Sequence, residues 1–167
     1  MNEEAQFDPL PAIEVLNRHE VEYVIIGGVA AFVLGSPVFT NDFDICYRRT
    51  KENYVRLAAA LRELEARPRG LDPSLQHIVD VSTIRNGENF TFETTVGDFD
   101  CLGNPAGSGG YKQLRENAKL EDLGNGNLAY VCSIDDLISM KRAAGRPKDL
   151  FGVEHLMAIK QVLDERR

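Results

Sequence analysis

With 167 residues, 43% of them hydrophobic and 27% charged, the chain has the composition of one ordinary globular domain and not of a disordered segment. A formal net charge of −7 excludes generic affinity for nucleic acid, so no broad contact with duplex DNA is expected. No apolar run approaches the ~20 residues that span a bilayer.

The acidic start, Met1-Asn2-Glu3-Glu4-Ala5, lacks the basic and apolar regions of a signal peptide, and a cytoplasmic location is expected. Asp8 followed by Pro9 predicts the cap and first position of a helix running to about residue 19. Residues 21–26 read as a strand, which Gly27-Gly28 turns into a short apolar helix ending near Leu34, before Gly35-Ser36-Pro37. Residues 42–47 read as a second strand. Thr50 is the expected cap of a long helix whose apolar stripe is Tyr54, Leu57, Leu61 and Leu64. Beyond Pro68 the expected strands are 78–81, 90–95 and 99–102, followed by a helix over 111–118 and a strand over 128–131. Ser133-Ile134-Asp135-Asp136 has the form of a capping box with Asp in place of Glu, and opens a helix reaching Ala144. A final helix spans about residues 148–164. This order predicts an α/β (α+β) fold with a mixed sheet flanked by helices.

Asp42 and Asp44 stand two apart in the second strand, so both side chains leave one face, about 7 Å apart, while Phe43 points away. Phe39, Phe43 and Ile45 read as core around them. Such a carboxylate pair repels itself, and a hard divalent cation such as Mg²⁺ is the usual reason to keep it. Gly97-Asp98-Phe99-Asp100-Cys101-Leu102 offers a third carboxylate. Either Asp98 or Asp100 could serve if that strand is regular, and Asp100 is favoured because Asp98 sits nearer the loop. Two-metal sites need several carboxylates to neutralise their ions. The pattern Gly27-Gly28 is neither a Walker A loop nor a dinucleotide fingerprint.

Cys46, Cys101 and Cys132 lie in apolar contexts and read as buried thiols. His19, His77 and His155 are isolated and fit no zinc spacing. The Phe and Tyr residues at helical or strand spacing read as core in preference to stacking platforms. Basic residues gather at 48–51, 62–69 and 141–148. The middle group reads as the solvated face of a helix.

Gly27-Gly28 through Thr40-x-Asp42-x-Asp44, with the later Gly97-x-x-Asp100, resembles the DNA polymerase β-type nucleotidyltransferase superfamily. More narrowly, the chain is similar to small bacterial nucleotidyltransferase-like proteins, including the nucleotidyltransferase toxins of abortive-infection toxin–antitoxin systems. The run from Ile134 through Lys141 to Lys148-Asp149 is part of that resemblance, which covers nearly the whole chain.

It implies a nucleotidyltransferase fold in a single domain over 1–167, with a C-terminal helical region from about residue 133. It also implies transfer of a nucleotidyl group from an NTP to a hydroxyl acceptor: an RNA end such as tRNA, a protein or a small molecule. Gly27 and Gly28 would hold the triphosphate, and Asp42 and Asp44 would bind two Mg²⁺ ions. Asp100 would complete the metal set and help deprotonate the acceptor. Thr40 would orient the motif or touch phosphate. Lys141 and Lys148 are candidate phosphate or acceptor contacts, or else solvated helix charges. Many relatives carry a basic residue where this chain has Val38. That departure supports the alternative, a catalytically silent binding or regulatory module of a toxin–antitoxin pair with a cognate antitoxin as partner.

Overall fold

The computed structural model describes residues 7–72, 74–75 and 79–167. The elements, in chain order, are α1 (Leu10–Arg18), β1 (Tyr23–Ile26), α2 (Gly27–Val33), β2 (Asp42–Tyr47), α3 (Lys51–Glu63), β3 (Arg67–Pro68), α4 (Val81–Asn86), β4 (Asn89–Thr94), β5 (Gly97–Leu102), α5 (Tyr111–Asn117), β6 (Lys119–Asp122), β7 (Leu128–Val131), α6 (Ile134–Ala144) and α7 (Pro147–Glu165). Among the described residues the strands form one seven-stranded sheet in the order β3-β4-β5-β2-β1-β7-β6. The β2–β5 and β1–β7 pairs are parallel and the others antiparallel, so the sheet is mixed, as the order of elements predicts. No helix among the described residues is long and apolar enough to cross a membrane.

Local chemistry sets most of the helix starts. Asp8 Oδ1 accepts from the Leu10 N–H at 3.0 Å, and Thr50 caps α3 by accepting from the Asn53 N–H. Ser133 caps α6 through the Asp136 N–H at 3.1 Å. Gly145, with φ +67, ends α6 in the left-handed conformation that glycine adopts without steric penalty. The predicted stripe Tyr54, Leu57, Leu61 and Leu64 is buried throughout. Asn53, fully buried, accepts from the Glu22 N–H and donates to the carbonyls of Glu22 and Arg48. Those three bonds tie the start of α3 to the open ends of β1 and β2. All three cysteines are buried free thiols.

Four expectations need correction. The strand expected over 78–81 begins at Ile78, outside the described residues. Val81 instead opens α4, which Asp80 caps through the Thr83 N–H at 2.8 Å. The polar run Lys119-Leu120-Glu121-Asp122 forms an unexpected edge strand, because pairing with β7 overrides its weak intrinsic preference. Arg67 and Arg69 do not lie on the helix face assigned to the basic group at 62–69: Arg67 is in β3, at the opposite edge of the sheet, and Arg69 follows it. Phe39, at 74% exposed, is not core, nor are the helical Phe32 and Phe151, at 57% and 58%, whereas Phe43 and Ile45 are buried.

Candidate active site

The sheet register brings the predicted carboxylates together. β2 and β5 run parallel with Asp42 opposite Asp98 and Asp44 opposite Asp100. Between those rows, Phe43 lies opposite Phe99, and their rings stack on the other face at a centroid distance of 5.2 Å. Because side chains alternate along a strand, the buried aromatic pair locks a register that places all four carboxylates on the face away from it. β1 contributes from the other side, with Ile26 opposite Asp44, and its chain turns at once into α2.

That turn explains the glycine pair. Gly27 has φ +66, and a Cβ there would collide with Asp44 Oδ2. A Cβ on Gly28 would press into the Thr40 side chain at 2.6 Å. The two glycines therefore let the start of α2 lie directly against Asp44 and Thr40. Thr40 in turn holds the motif: its hydroxyl donates to the Asp42 carbonyl and accepts from the Asp42 N–H, both at 3.2 Å.

Electrostatically the carboxylates are crowded. Burial, then the charge of Asp100 and contact with it, then the charge of Asp42, push the Asp44 carboxyl up to about 7; Lys141 partly offsets this. A counter-cation is already present, and sequence reasoning assigned it elsewhere. Arg69 Nη2 donates to Asp100 Oδ1 at 2.9 Å and to the Phe92 carbonyl at 3.2 Å. Its Nε stands 3.5 Å from Asp98 Oδ2, an ion-pair separation and not a hydrogen bond. The guanidinium thus engages both carboxylates, Asp100 the more closely, and Asp100 rather than Asp98 is the one that also contacts Asp44. The available signal was Pro68, which ends helical propensity just before Arg69.

Among the described residues no three His, Cys, Asp or Glu side chains are arranged as a ready-made metal cage. The donor set nonetheless fits Mg²⁺, which keeps several waters and is usually held by one or two carboxylates together with substrate phosphates. Asp42 and Asp44, with Asp100 beside them, are hard oxygen donors whose mutual repulsion a divalent cation would relieve.

A cavity of about 440 Å³ lies over these groups, lined by Gly27, Gly28, Thr40, Asp42, Asp44, Asp100, Lys141 and Lys148. Every site residue expected from the sequence is therefore at one place. Val38 and Arg146 line the same cavity. Arg146 is fastened by Asp149, with Nε donating to Oδ2 at 2.6 Å and Nη2 to Oδ1 at 3.3 Å. Burial opposes the charge on Asp149, but these bonds and the guanidinium charge outweigh it and hold the carboxyl below its usual range. A larger cavity of about 670 Å³ adjoins the first over Ile13, Val29, Phe32 and Leu123. Its described lining contains no Lys or Arg and none of the three carboxylates, sharing only Phe39 and Thr40 with the carboxylate cavity.

The ion pairs of Arg69 give a first expected result. In the metal-free protein, Arg69→Gln lowers unfolding free energy by about 1–3 kcal/mol near neutral pH, because the carboxylates lose their paired cation. Added Mg²⁺ shrinks the difference. Urea unfolding with and without the ion checks this, and a loss that metal does not change would mean that Arg69 acts only as a packing group.

No family model matches the chain, and no curated protein does. Among solved structures, the antibiotic-resistance factor ANT(2'')-Ia, a nucleotidyltransferase, matches with a TM-score of 0.57 at 14% identity, over 94% of this chain and 90% of that one. A Thermotoga maritima protein described as a candidate nucleotidyltransferase matches with a TM-score of 0.49 at 14% identity, over 99% of each chain. The mixed sheet, its flanking helices and the likeness to ANT(2'')-Ia together show that this chain has the nucleotidyltransferase fold.

Proposed function

We propose that the protein transfers a nucleotidyl group from an NTP to a hydroxyl acceptor, with Mg²⁺ held by Asp42, Asp44 and Asp100. The observation that carries this reading is the opposition of charges in one cavity: three carboxylates on adjacent strands, and Lys141 of α6, Lys148 of α7 and Arg146 between those helices. A polyphosphate bound with a divalent cation needs both halves of such a site. When bound, the metal supplies Lewis-acid stabilisation of the charge that develops on the phosphate oxygens.

The chain's own groups do the rest. Lys141, Lys148 and the fastened guanidinium of Arg146 hold the triphosphate, supplying positive charge that Val38 does not. Gly27 and Gly28, by letting the start of α2 lie against Asp44 and Thr40, bring its backbone N–H groups to the triphosphate beside the carboxylates. Asp100 accepts the proton of the acceptor hydroxyl as its oxygen attacks the α-phosphorus, and the bond to the β-phosphate breaks to release pyrophosphate. A small molecule, a protein hydroxyl or an RNA end such as tRNA fits this chemistry, and cytoplasmic location belongs to the same proposal. Incubation with each labelled NTP, Mg²⁺ and either total RNA, protein or a metabolite pool tests it. Transfer that requires Asp42 is expected.

A second reading is favoured by one observation, the engagement of Asp100 by Arg69. In it the chain is a silent binding module of a toxin–antitoxin pair, paired with a cognate antitoxin. Normal metal-dependent NTP binding with no transfer to any acceptor would support that reading over the enzyme.

The acceptor class has its own test. If RNA is the acceptor, Lys141→Glu with Lys148→Glu cuts RNA labelling by about tenfold or more at low salt, and added salt weakens the wild type in the same direction. With a small acceptor, labelling falls only as far as NTP binding does, so NTP affinity measured on the same variant separates the two.

A further inference from the structure

Two phenylalanines line the carboxylate cavity without being packed into the protein. Phe39, three residues before Asp42, is 74% exposed, and Phe151, in the second turn of α7, is 58% exposed. By contrast Phe43, Phe92 and Phe99 are each 1% exposed. The Phe151 ring is set edge-on against His155, at a centroid distance of 4.7 Å and an interplanar angle of 83°. Exposed aromatic faces that border a site for a phosphorylated ligand are suited to stack on a nucleobase.

The polar side chains of the same cavity are already committed. Asp42, Asp44 and Asp100 face one another, and Arg146 is tied to Asp149. The Thr40 hydroxyl is bonded to the Asp42 backbone, and Ser36, 5% exposed, accepts from the Val38 N–H and keeps only its hydroxyl hydrogen to donate. Lys141 and Lys148 are needed by the triphosphate. Among the described residues that line the cavity there is no Asn, Gln, Glu, His or Tyr. Discrimination between bases requires donors and acceptors matched to their edges, and a site that reads them rejects analogues by large factors. This cavity has stacking faces and, beyond the single donor of the buried Ser36 hydroxyl, no side chain left to match the edge of one base against another.

We propose that Phe39 and Phe151 form a nucleobase subsite that holds the base by its ring faces alone, so that the protein accepts all four NTPs. The inference rests on the nucleotidyl-transfer reading and specifies its donor substrate as a base-unselected NTP. The cavity volume of about 440 Å³ is within the range of about 300–1,000 Å³ common for small-molecule sites.

The chain contains no tryptophan, so Phe151→Trp introduces a single fluorescent reporter that preserves a stacking face. With Ca²⁺ replacing Mg²⁺ to limit turnover, each of the four NTPs is expected to quench this reporter, with affinities within about threefold of one another. Inorganic tripolyphosphate should compete with them without quenching. Combining Phe39→Ala and Phe151→Ala should weaken all four NTPs in parallel by about tenfold or more while tripolyphosphate affinity, measured by calorimetry, stays unchanged. Phe39→Leu, which keeps apolar bulk at an exposed loop position but has no aromatic face, should weaken them in the same parallel way.

A preference for one base beyond about thirtyfold, bound NTP that leaves the reporter unquenched, or unchanged NTP affinity in the alanine variants overturns the subsite alone. Failure of both the NTPs and tripolyphosphate to bind the wild-type protein overturns the nucleotidyl-transfer reading, and the subsite with it.

Discussion

Asp44→Asn is expected to reduce metal-dependent nucleotidyl transfer by about 10²–10³-fold or more, the scale on which loss of one electrostatic group at a reacting centre is felt. The same substitution should stabilise the metal-free protein above neutral pH. The Asp44 carboxyl, pushed up to about 7 by burial, Asp100 and Asp42, stays protonated in the folded state where the unfolded chain has already ionised it. The folded state therefore binds more protons between about pH 4 and 7. Stability from this group is fully present below about pH 4 and is lost as pH rises through 7. Asparagine carries no such charge, so the variant should gain on the order of 2–4 kcal/mol over wild type at pH 8 without metal. Thermal melts in chelator across this pH range, with NTP binding measured in parallel, check both halves. A variant with the wild-type pH slope and undiminished metal-dependent binding would remove Asp44 from the site.

Gly27→Ala is the second large effect expected. The residue has φ +66, where an L side chain costs about 1–2 kcal/mol, and its Cβ would also displace the Asp44 carboxylate. Gly126→Ala separates the two causes, since Gly126 has φ +78 and nothing within 4 Å of its Cβ position. Both variants should lose about 1–2 kcal/mol or somewhat more in denaturant unfolding. Only Gly27→Ala should also lose metal-dependent NTP binding, by an order of magnitude or more. Equal retention of binding in both would mean that the glycine turn serves only the backbone.

The elements legible in the sequence share one property: their signals are local. Thr50 and Ser133 cap helices through N–H groups three residues on, and the stripe from Tyr54 to Leu64 repeats at the helical period. Asp42-x-Asp44 on a strand is likewise a statement about alternation within a few residues. What eluded the sequence lies at the two edges of the sheet. β3 is two residues long and contains Pro68, and β6 is three-quarters charged. Edge strands are commonly short, charged or proline-bearing because that protects them from unwanted pairing, and those same features erase the hydrophobic alternation by which strands are recognised.

For the site, the sequence by itself singled out the residues that line one cavity: the Gly27-Gly28 turn, the Asp42 and Asp44 pair on one strand face, a further carboxylate at Asp98 or Asp100, and a basic cluster near Lys141. Those follow from chain geometry over a few residues. Only the tertiary structure decided that Asp100 meets Asp44 while Arg69 pairs with both Asp98 and Asp100, that Arg146 joins Lys141 and Lys148 across the cavity, and that Phe39 is exposed at its rim. Each of those outcomes depends on strand register and on helix packing between segments far apart in the chain, and a sequence pattern with a period of two or 3.6 residues carries no record of which distant partner it will face.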